Sequence, residues 1–209
     1  PILLKEEAAA AKSCPPMDWP DWMMELFLEE CFERGRTLIR AMDGRYWIYN
    51  GRYWEPVPNE YIKMEMLPFA RIAVSASEGS REAASLMSAA LNMLEGRAYP
   101  KKNFLHNTDG LTPSVINCKN GELWIDDSGR VELKPHRAES YLKHCLDIVY
   151  DPAATAPKFE RAALEIFAAS SNPQDMFRHF MELFGYICQP WRKLAIIVLL
   201  YGGGNNGKT

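Results

Sequence analysis

Residues 36–57 read RTLIRAMDGRYWIYNGRYWEPV, and this stretch decides the fold class. Arg36 to Ala41, Tyr46 to Asn50 and Tyr53 to Val57 are short β-prone runs separated by Asp43-Gly44 and Asn50-Gly51. Those dipeptides accept the positive φ of tight hairpin turns, so the stretch predicts a three-stranded antiparallel meander. Immediately upstream the period changes. Trp22, Met23, Leu26, Phe27 and Cys31 recur at three- and four-residue steps, Asp18, Asp21 and Glu25 place negative charge at the start, and Gly35 supplies a stop. That pattern predicts an amphipathic helix.

Downstream, helices are expected from Asn59 to about Ala73, with Pro68 ending or kinking the first, and from Ser80 to Glu95 before Gly96. Turn signals at Asp109-Gly110, Asn120-Gly121 and Ser128-Gly129 predict a second small β-element between Lys101 and Val149, with a short helix near Glu139 to His144. Lys158 to Ala169 and Pro173 to Gln189 read as helices, with Asn172 the N-cap of the second and Pro173 at its first position. Residues 1–17, with the Ala8 to Ala11 run and Pro15-Pro16, read as a loosely packed leader or linker. The fold class is α+β: mostly helical with small antiparallel β-hairpin elements, and the helix followed by a basic hairpin suggests a winged-helix-like unit.

Composition narrows the function classes. Of 209 residues, 47% are hydrophobic and 24% charged, the profile of a soluble globular chain. The longest apolar run, Leu194 to Tyr201, is far short of the ~20 residues a membrane helix needs. Twenty-seven acids against 24 bases give a net charge of −3, so nucleic-acid binding would require a local patch. Five scattered cysteines without a C-x-x-C pair, and no secretory signal at the start, point to a reducing, cytoplasmic setting. His106, His136, His144 and His179 lack metal-ligand spacing, and Asp126-Asp127 sits before Ser128-Gly129 as a solvated turn. The ten methionines read as core filler.

The last eight residues, GGGNNGKT, carry the chemistry: Gly202, Gly204, Asn206 and Gly207 frame a G-x-x-x-x-G-K-T loop that ends in Lys208 and Thr209. Glycines let successive backbone N–H groups converge on phosphate oxygens, the lysine reaches the β- and γ-phosphates, and the threonine hydroxyl holds Mg²⁺. Leu194 to Tyr201 is the buried, β-branched-rich parallel strand that should deliver such a loop, unless the loss of its sheet neighbours displaces it. ATP and Mg²⁺ are therefore the expected cofactors. The sequence stops at Thr209, before the helix that would hold the phosphates and before an acidic strand, so a longer parent protein carrying the ATPase engine is expected.

Several motifs precede this loop in order. They are Asn120-Gly121-Glu122-Leu123-Trp124, Pro135-His136-Arg137, Tyr141-Leu142, Leu146 to Pro152 with its Tyr150-Asp151-Pro152 ending, and Phe184-Gly185-Tyr186. The series resembles the domain before the helicase core in phage, plasmid and poxvirus-type primase-helicases of helicase superfamily 3. The likeness covers roughly Leu105 to Thr209 well and the front third loosely. It implies a parent ATP-dependent DNA helicase, hexameric around DNA, with this region forming a collar on the motor ring. By that likeness Lys208 and Thr209 match the phosphate-binding lysine and the Mg²⁺-binding hydroxyl. The later helicase motifs and a paired-acid priming site are absent from the sequence, so priming is not assigned. The implied organisation is a leader at 1–17, a nucleic-acid-contacting unit at 18–100, the pre-helicase collar at 101–190 and the start of the P-loop domain at 191–209.

The meander also carries charge. Arg34, Arg36, Arg40, Arg45 and Arg52 against Asp43 make residues 34–54 net +4, leaving −7 elsewhere. Arg40, Arg45 and Arg52 with Trp47 and Trp54 form a candidate single-stranded DNA site, arginines on the backbone and rings under the bases. The plainer alternative puts the tryptophans on the hidden face of a small sheet and the arginines at a solvated edge. For the whole chain two other functions stay open: a non-catalytic DNA-binding or oligomerisation module with an unused P-loop, and a piece of another P-loop ATPase.

Overall fold

The computed structural model describes residues 2–13, 18–78, 82–98, 104–107, 109–126, 128–189 and 194–199. They form two compact units, Pro1–Leu111 with Arg137–Lys143, and Thr112–His136 with His144–Thr209. The fold is α+β, helices with two three-stranded antiparallel sheets.

In the first unit the predicted meander forms from β1 (Leu38–Arg40), β2 (Tyr46–Tyr49) and β3 (Trp54–Val57), in that order. Gly44 and Gly51 take φ of +81° and +93°, and the Asn50 side-chain oxygen accepts the N–H groups of Arg52 and Tyr53 at 3.1 Å each. Alternation along the strands divides the side chains between two cores. Leu38, Tyr46, Ile48 and Val57 join the helical core, while Ile39, Ala41, Trp47, Tyr49 and Trp54 join a second core with Phe104, Ala138 and Tyr141. Both edges are closed as well: the Arg40 N–H donates to the Ala98 carbonyl at 2.9 Å and the Trp54 N–H to the Leu142 carbonyl at 2.7 Å.

The helical core is built on α2 (Trp19–Phe32), α3 (Asn59–Ala76) and α4 (Ala83–Arg97). Met23, Met24, Leu26, Phe27 and Leu28 are all buried, which exceeds one helical face. The sequence predicted a one-faced helix; α2 is instead a central one, packed against both α3 and α4. Its chain reverses through three left-handed residues, Glu33, Arg34 and Gly35, so the turn begins two residues before the glycine stop. α3 runs through Pro68 without ending. Pro68 and Met64 are both exposed, so the hydrogen bond that the proline forfeits lies on the solvent side, and burial of Met66, Phe69, Ala70 and Ala73 holds the two halves together. Residues 2–13, read as loose leader, form α1 (Ile2–Ser13), with Ala11 buried and the helix against α3. Alanine's high helix propensity accounts for it.

The second unit carries β4 (Val115–Cys118), β5 (Gly121–Ile125) and β6 (Val131–Lys134), antiparallel in sequence order. Gly121 is held at φ +150°, and a Cβ there would lie 2.5 Å from the Lys134 carbonyl oxygen, so only glycine fits the β4–β5 turn. The short helix expected near 139–144 is reduced to a 3-10 turn at Ala138–Ser140, within the first unit. In its place His144–Tyr150 runs irregularly beside β4: the Leu146 N–H donates to the Asn117 carbonyl and the Lys119 N–H to the Ile148 carbonyl, both at 2.8 Å. Two helices follow, α5 (Pro157–Ile166) and α6 (Pro173–Ile187), and Asn172 caps α6 by accepting the Asp175 N–H at 3.3 Å. Residues 194–199, expected as a buried parallel strand, form none and are exposed. A strand needs at least one neighbour to take up its backbone hydrogen bonds, and the described residues provide none.

Candidate nucleic-acid interface and nucleotide loop

Three of the five arginines of the meander region, Arg34, Arg36 and Arg40, are met by carboxylates from outside it. Arg34 lies 2.5 Å from Glu29; Arg36 lies 2.6 Å from Glu139 and 3.5 Å from Glu33. Arg40 is half-buried and 3.3 Å from Glu95, and Arg45 pairs with Asp43 at 2.6 Å in the first hairpin turn. Arg52 is exposed in the second turn. Set against five arginines, Asp43 and these four glutamates balance the charge, so the excess counted along the sequence does not survive folding. The pairs leave their mark on protonation. Hydrogen bonding from Arg36 holds the Glu139 carboxyl below its ordinary range, and Glu29 and Glu139 raise the Arg34 and Arg36 guanidinium groups. At Asp43, burial pushes the pKa up but is outweighed by hydrogen bonds from the Arg45 side chain and backbone, with a net fall. Burial, aided by Glu95 and opposed by Arg40, pushes the Tyr46 hydroxyl up to about 12.

Trp47 and Trp54 are not available to bases. Trp54 is 0% exposed and Trp47 8%. Trp54 stacks on Tyr141 at 6.0 Å and 20°, meets Phe104 edge-on at 5.9 Å, and donates its indole N–H to the Ala138 carbonyl at 2.9 Å. Trp47 meets Phe104 at 5.1 Å. The stacking-platform reading is therefore corrected: both sheet faces are covered, and the rings are core. Of the five predicted contacts only Arg45 and Arg52 lie on the surface, with Arg40 half-buried. Exposed ion pairs are worth only ~0–1 kcal/mol, so such arginines can exchange a carboxylate for a phosphate oxygen at little cost. With Trp47 and Trp54 in the core, the exposed chemistry of these five residues is the guanidinium groups of Arg45 and Arg52.

A cavity of about 320 Å³ opens beside the left-handed turn, with Leu28, Leu38 and Leu94 in its lining and Arg34, Arg36 and Arg97 around it. Arg97 pairs with Glu25, so these three cations also face partners. The α2 and α4 C-termini end here, which explains basic side chains at this place without a ligand.

In the second unit the motifs quoted above are joined by hydrogen bonds. Asn120 donates its side-chain N–H to the Tyr150 carbonyl and accepts the Tyr150 N–H, both at 2.9 Å. A His136 ring nitrogen lies 2.8 Å from the Cys118 carbonyl, and the Asn117 side chain donates to the His144 carbonyl at 2.9 Å. Asn120 was legible only as a turn residue, and its distant partner could not be read from local pattern. Asp126 accepts bonds from the Ser128 N–H and hydroxyl and from the Arg130 N–H, as a solvated turn should. Among the described residues no group of three His, Cys, Asp or Glu could hold a metal, and no helix is long and apolar enough to cross a membrane. Gly202, Gly204, Asn206, Gly207, Lys208 and Thr209 lie outside the described residues.

The profile of the family described as D5 N terminal like matches residues 22–168. It takes in most of the front third, where the motif resemblance was loose, and stops before α6 and the GGGNNGKT sequence. No curated protein and no solved structure matches the chain.

Proposed function

Since this chain belongs to the D5 N terminal like family, the N-terminal domain of primase-helicase proteins, we propose that it is the collar preceding an ATP-dependent superfamily 3 DNA helicase motor. The element served is a replicating phage, plasmid or virus, and the site of action the host cytoplasm or the viral replication site. The observation that carries the reading is an order: the family region ends at residue 168, and GGGNNGKT follows at 202–209. In a P-loop of that composition Gly202, Gly204, Asn206 and Gly207 let backbone N–H groups face phosphate oxygens. Lys208 would neutralise the β- and γ-phosphates, and Thr209 would offer its hydroxyl to Mg²⁺. ATP with Mg²⁺ supplies the energy of unwinding when bound.

Self-association into a ring around DNA belongs to the same reading, as does contact with the DNA backbone through Arg45 and Arg52, which lie on the surface. The test is ATP hydrolysis by a polypeptide that continues through the P-loop domain. Lys208→Ala should abolish turnover while leaving the fold intact by circular dichroism. Persistent turnover in that variant, or none in the parent, would remove the motor. For DNA, Arg45→Ala with Arg52→Ala should weaken single-strand binding and flatten its salt dependence by about two charges. An unchanged slope would remove this face as the contact.

A further inference from the structure

We propose that the outer edge of β6 pairs antiparallel with the same edge of a second copy of this chain, about a two-fold axis at Leu133. Among the described residues three of the four sheet edges are closed by the chain itself: that of β1 by Ala98, that of β3 by Leu142, and that of β4 by Leu146 and Ile148. The exception is β6, which among those residues meets only β5. Its edge lies in the open, with Val131 43% and Leu133 39% exposed. An edge of this kind is a template for a further strand.

The β5–β6 turn fixes which backbone groups point outward. The Asp126 N–H donates to the Arg130 carbonyl at 3.1 Å, so these two residues are a hydrogen-bonded pair. Alternation then turns the backbone of Glu132 and Lys134 towards Trp124 and Glu122 on β5, and that of Val131 and Leu133 away from it. With Leu133 on the axis, the two copies' Leu133 residues exchange both N–H···O bonds, and the Val131 N–H reaches the partner's Pro135 carbonyl. Pro135 has no N–H to donate, so the pairing stops there.

Side-chain charge chooses both the occupant and the register. Glu132 and Lys134 share one face of β6, 3.4 Å apart. A copy centred on Leu133 sets each Glu132 against the partner's Lys134, giving two opposite-charge pairs. On the other face it sets Leu133 against the partner's Leu133, beside Val131 and the 46% exposed Ile125. Centring on Glu132 or on Lys134 would instead bring like charges face to face, which disfavours both. The edge is thus its own complement. A contact made by the same patch on both copies closes at two, unlike the head-to-tail contact that builds a ring.

The paired edge is small beside the ~800 Å² per partner of stable complexes, so the association is weak and is measured at protein concentrations up to the order of millimolar. In sedimentation equilibrium the weight-average mass should rise with concentration from 23.8 kDa towards that of a dimer and no further. Glu132→Lys and Lys134→Glu should each weaken association at least about tenfold with circular dichroism unchanged, because each sets like charges opposite one another. Mixed in equal amounts, the two variants should associate with each other about as tightly as the parent does with itself, since the opposite-charge pairs return. A parent that stays monomeric over this range overturns the proposal, as do single variants that associate as well as the parent, or a mixture that does not recover. Mass that climbs past two copies overturns the two-fold axis and points to a head-to-tail contact.

Discussion

Replacing Trp54 with Phe separates the core reading of the meander from the stacking reading. A phenylalanine retains an aromatic face, so a residue that stacked on bases would keep much of its function and cost the fold little. In the structure the change removes the indole N–H that the Ala138 carbonyl accepts at 2.9 Å, in a position with 0% exposure. An acceptor orphaned in such surroundings costs about 1–3 kcal/mol. The smaller ring also gives up roughly 40 Å² of buried apolar surface, about 1 kcal/mol at ~25 cal/mol per Å². The sum is about 2–4 kcal/mol for Trp54→Phe, and Trp54→Ala, at about 3–5 kcal/mol, should sit at or beyond the upper end of that range. Urea unfolding followed by far-UV circular dichroism reads it. With a slope of about 1–3 kcal/mol per molar urea, the midpoint of the first unit should fall by about 1–2 M. Single-stranded DNA affinity of the folded variant should not change. A midpoint within about 0.2 M of the parent, together with weakened DNA binding, would refute the packing argument.

Further outcomes follow from the second unit and the ion pairs. Gly121→Ala forces a Cβ to within 2.5 Å of the Lys134 carbonyl at a φ of +150°, and should destabilise the second sheet by about 2–4 kcal/mol, measured as a lower unfolding midpoint. Asn120→Ala removes both bonds to the Tyr150 backbone and should cost about 1–3 kcal/mol, with faster amide exchange confined to residues near 146–150; exchange unchanged there would contradict the pinning role. The depressed Glu139 and Asp43 carboxyls contribute stability that is fully present above the unfolded value of about 4 and is lost as pH falls through their lower folded values. The melting-temperature gap between the parent and Glu139→Gln should therefore be present at about pH 6 and vanish by about pH 3. A gap that widened on acidification would reverse the sign of the argument.

Turn chemistry and helix caps were legible because their causes are local. Asp43-Gly44 and Asn50-Gly51 set both hairpins of the first sheet, and Asn172-Pro173 set the start of α6, through contacts within a few residues. Charge and aromatic patterns were harder to interpret. Glu29, Glu95 and Glu139 come from three places in the chain to meet the arginines, so a window sum of charge overstated the field. Trp47 and Trp54 admitted a platform reading beside the plainer core one, since a strand apolar on both sides does not say which side is covered.

By itself the sequence determined the α+β class, the meander and most of the helix positions. Tertiary structure alone decided that the meander lies between two cores, that Pro68 sits harmlessly inside α3, and that Asn120 ties its turn to Tyr150. The reason is range. Backbone preferences act over a few residues, whereas burial and pairing are settled by groups that approach only when the chain folds.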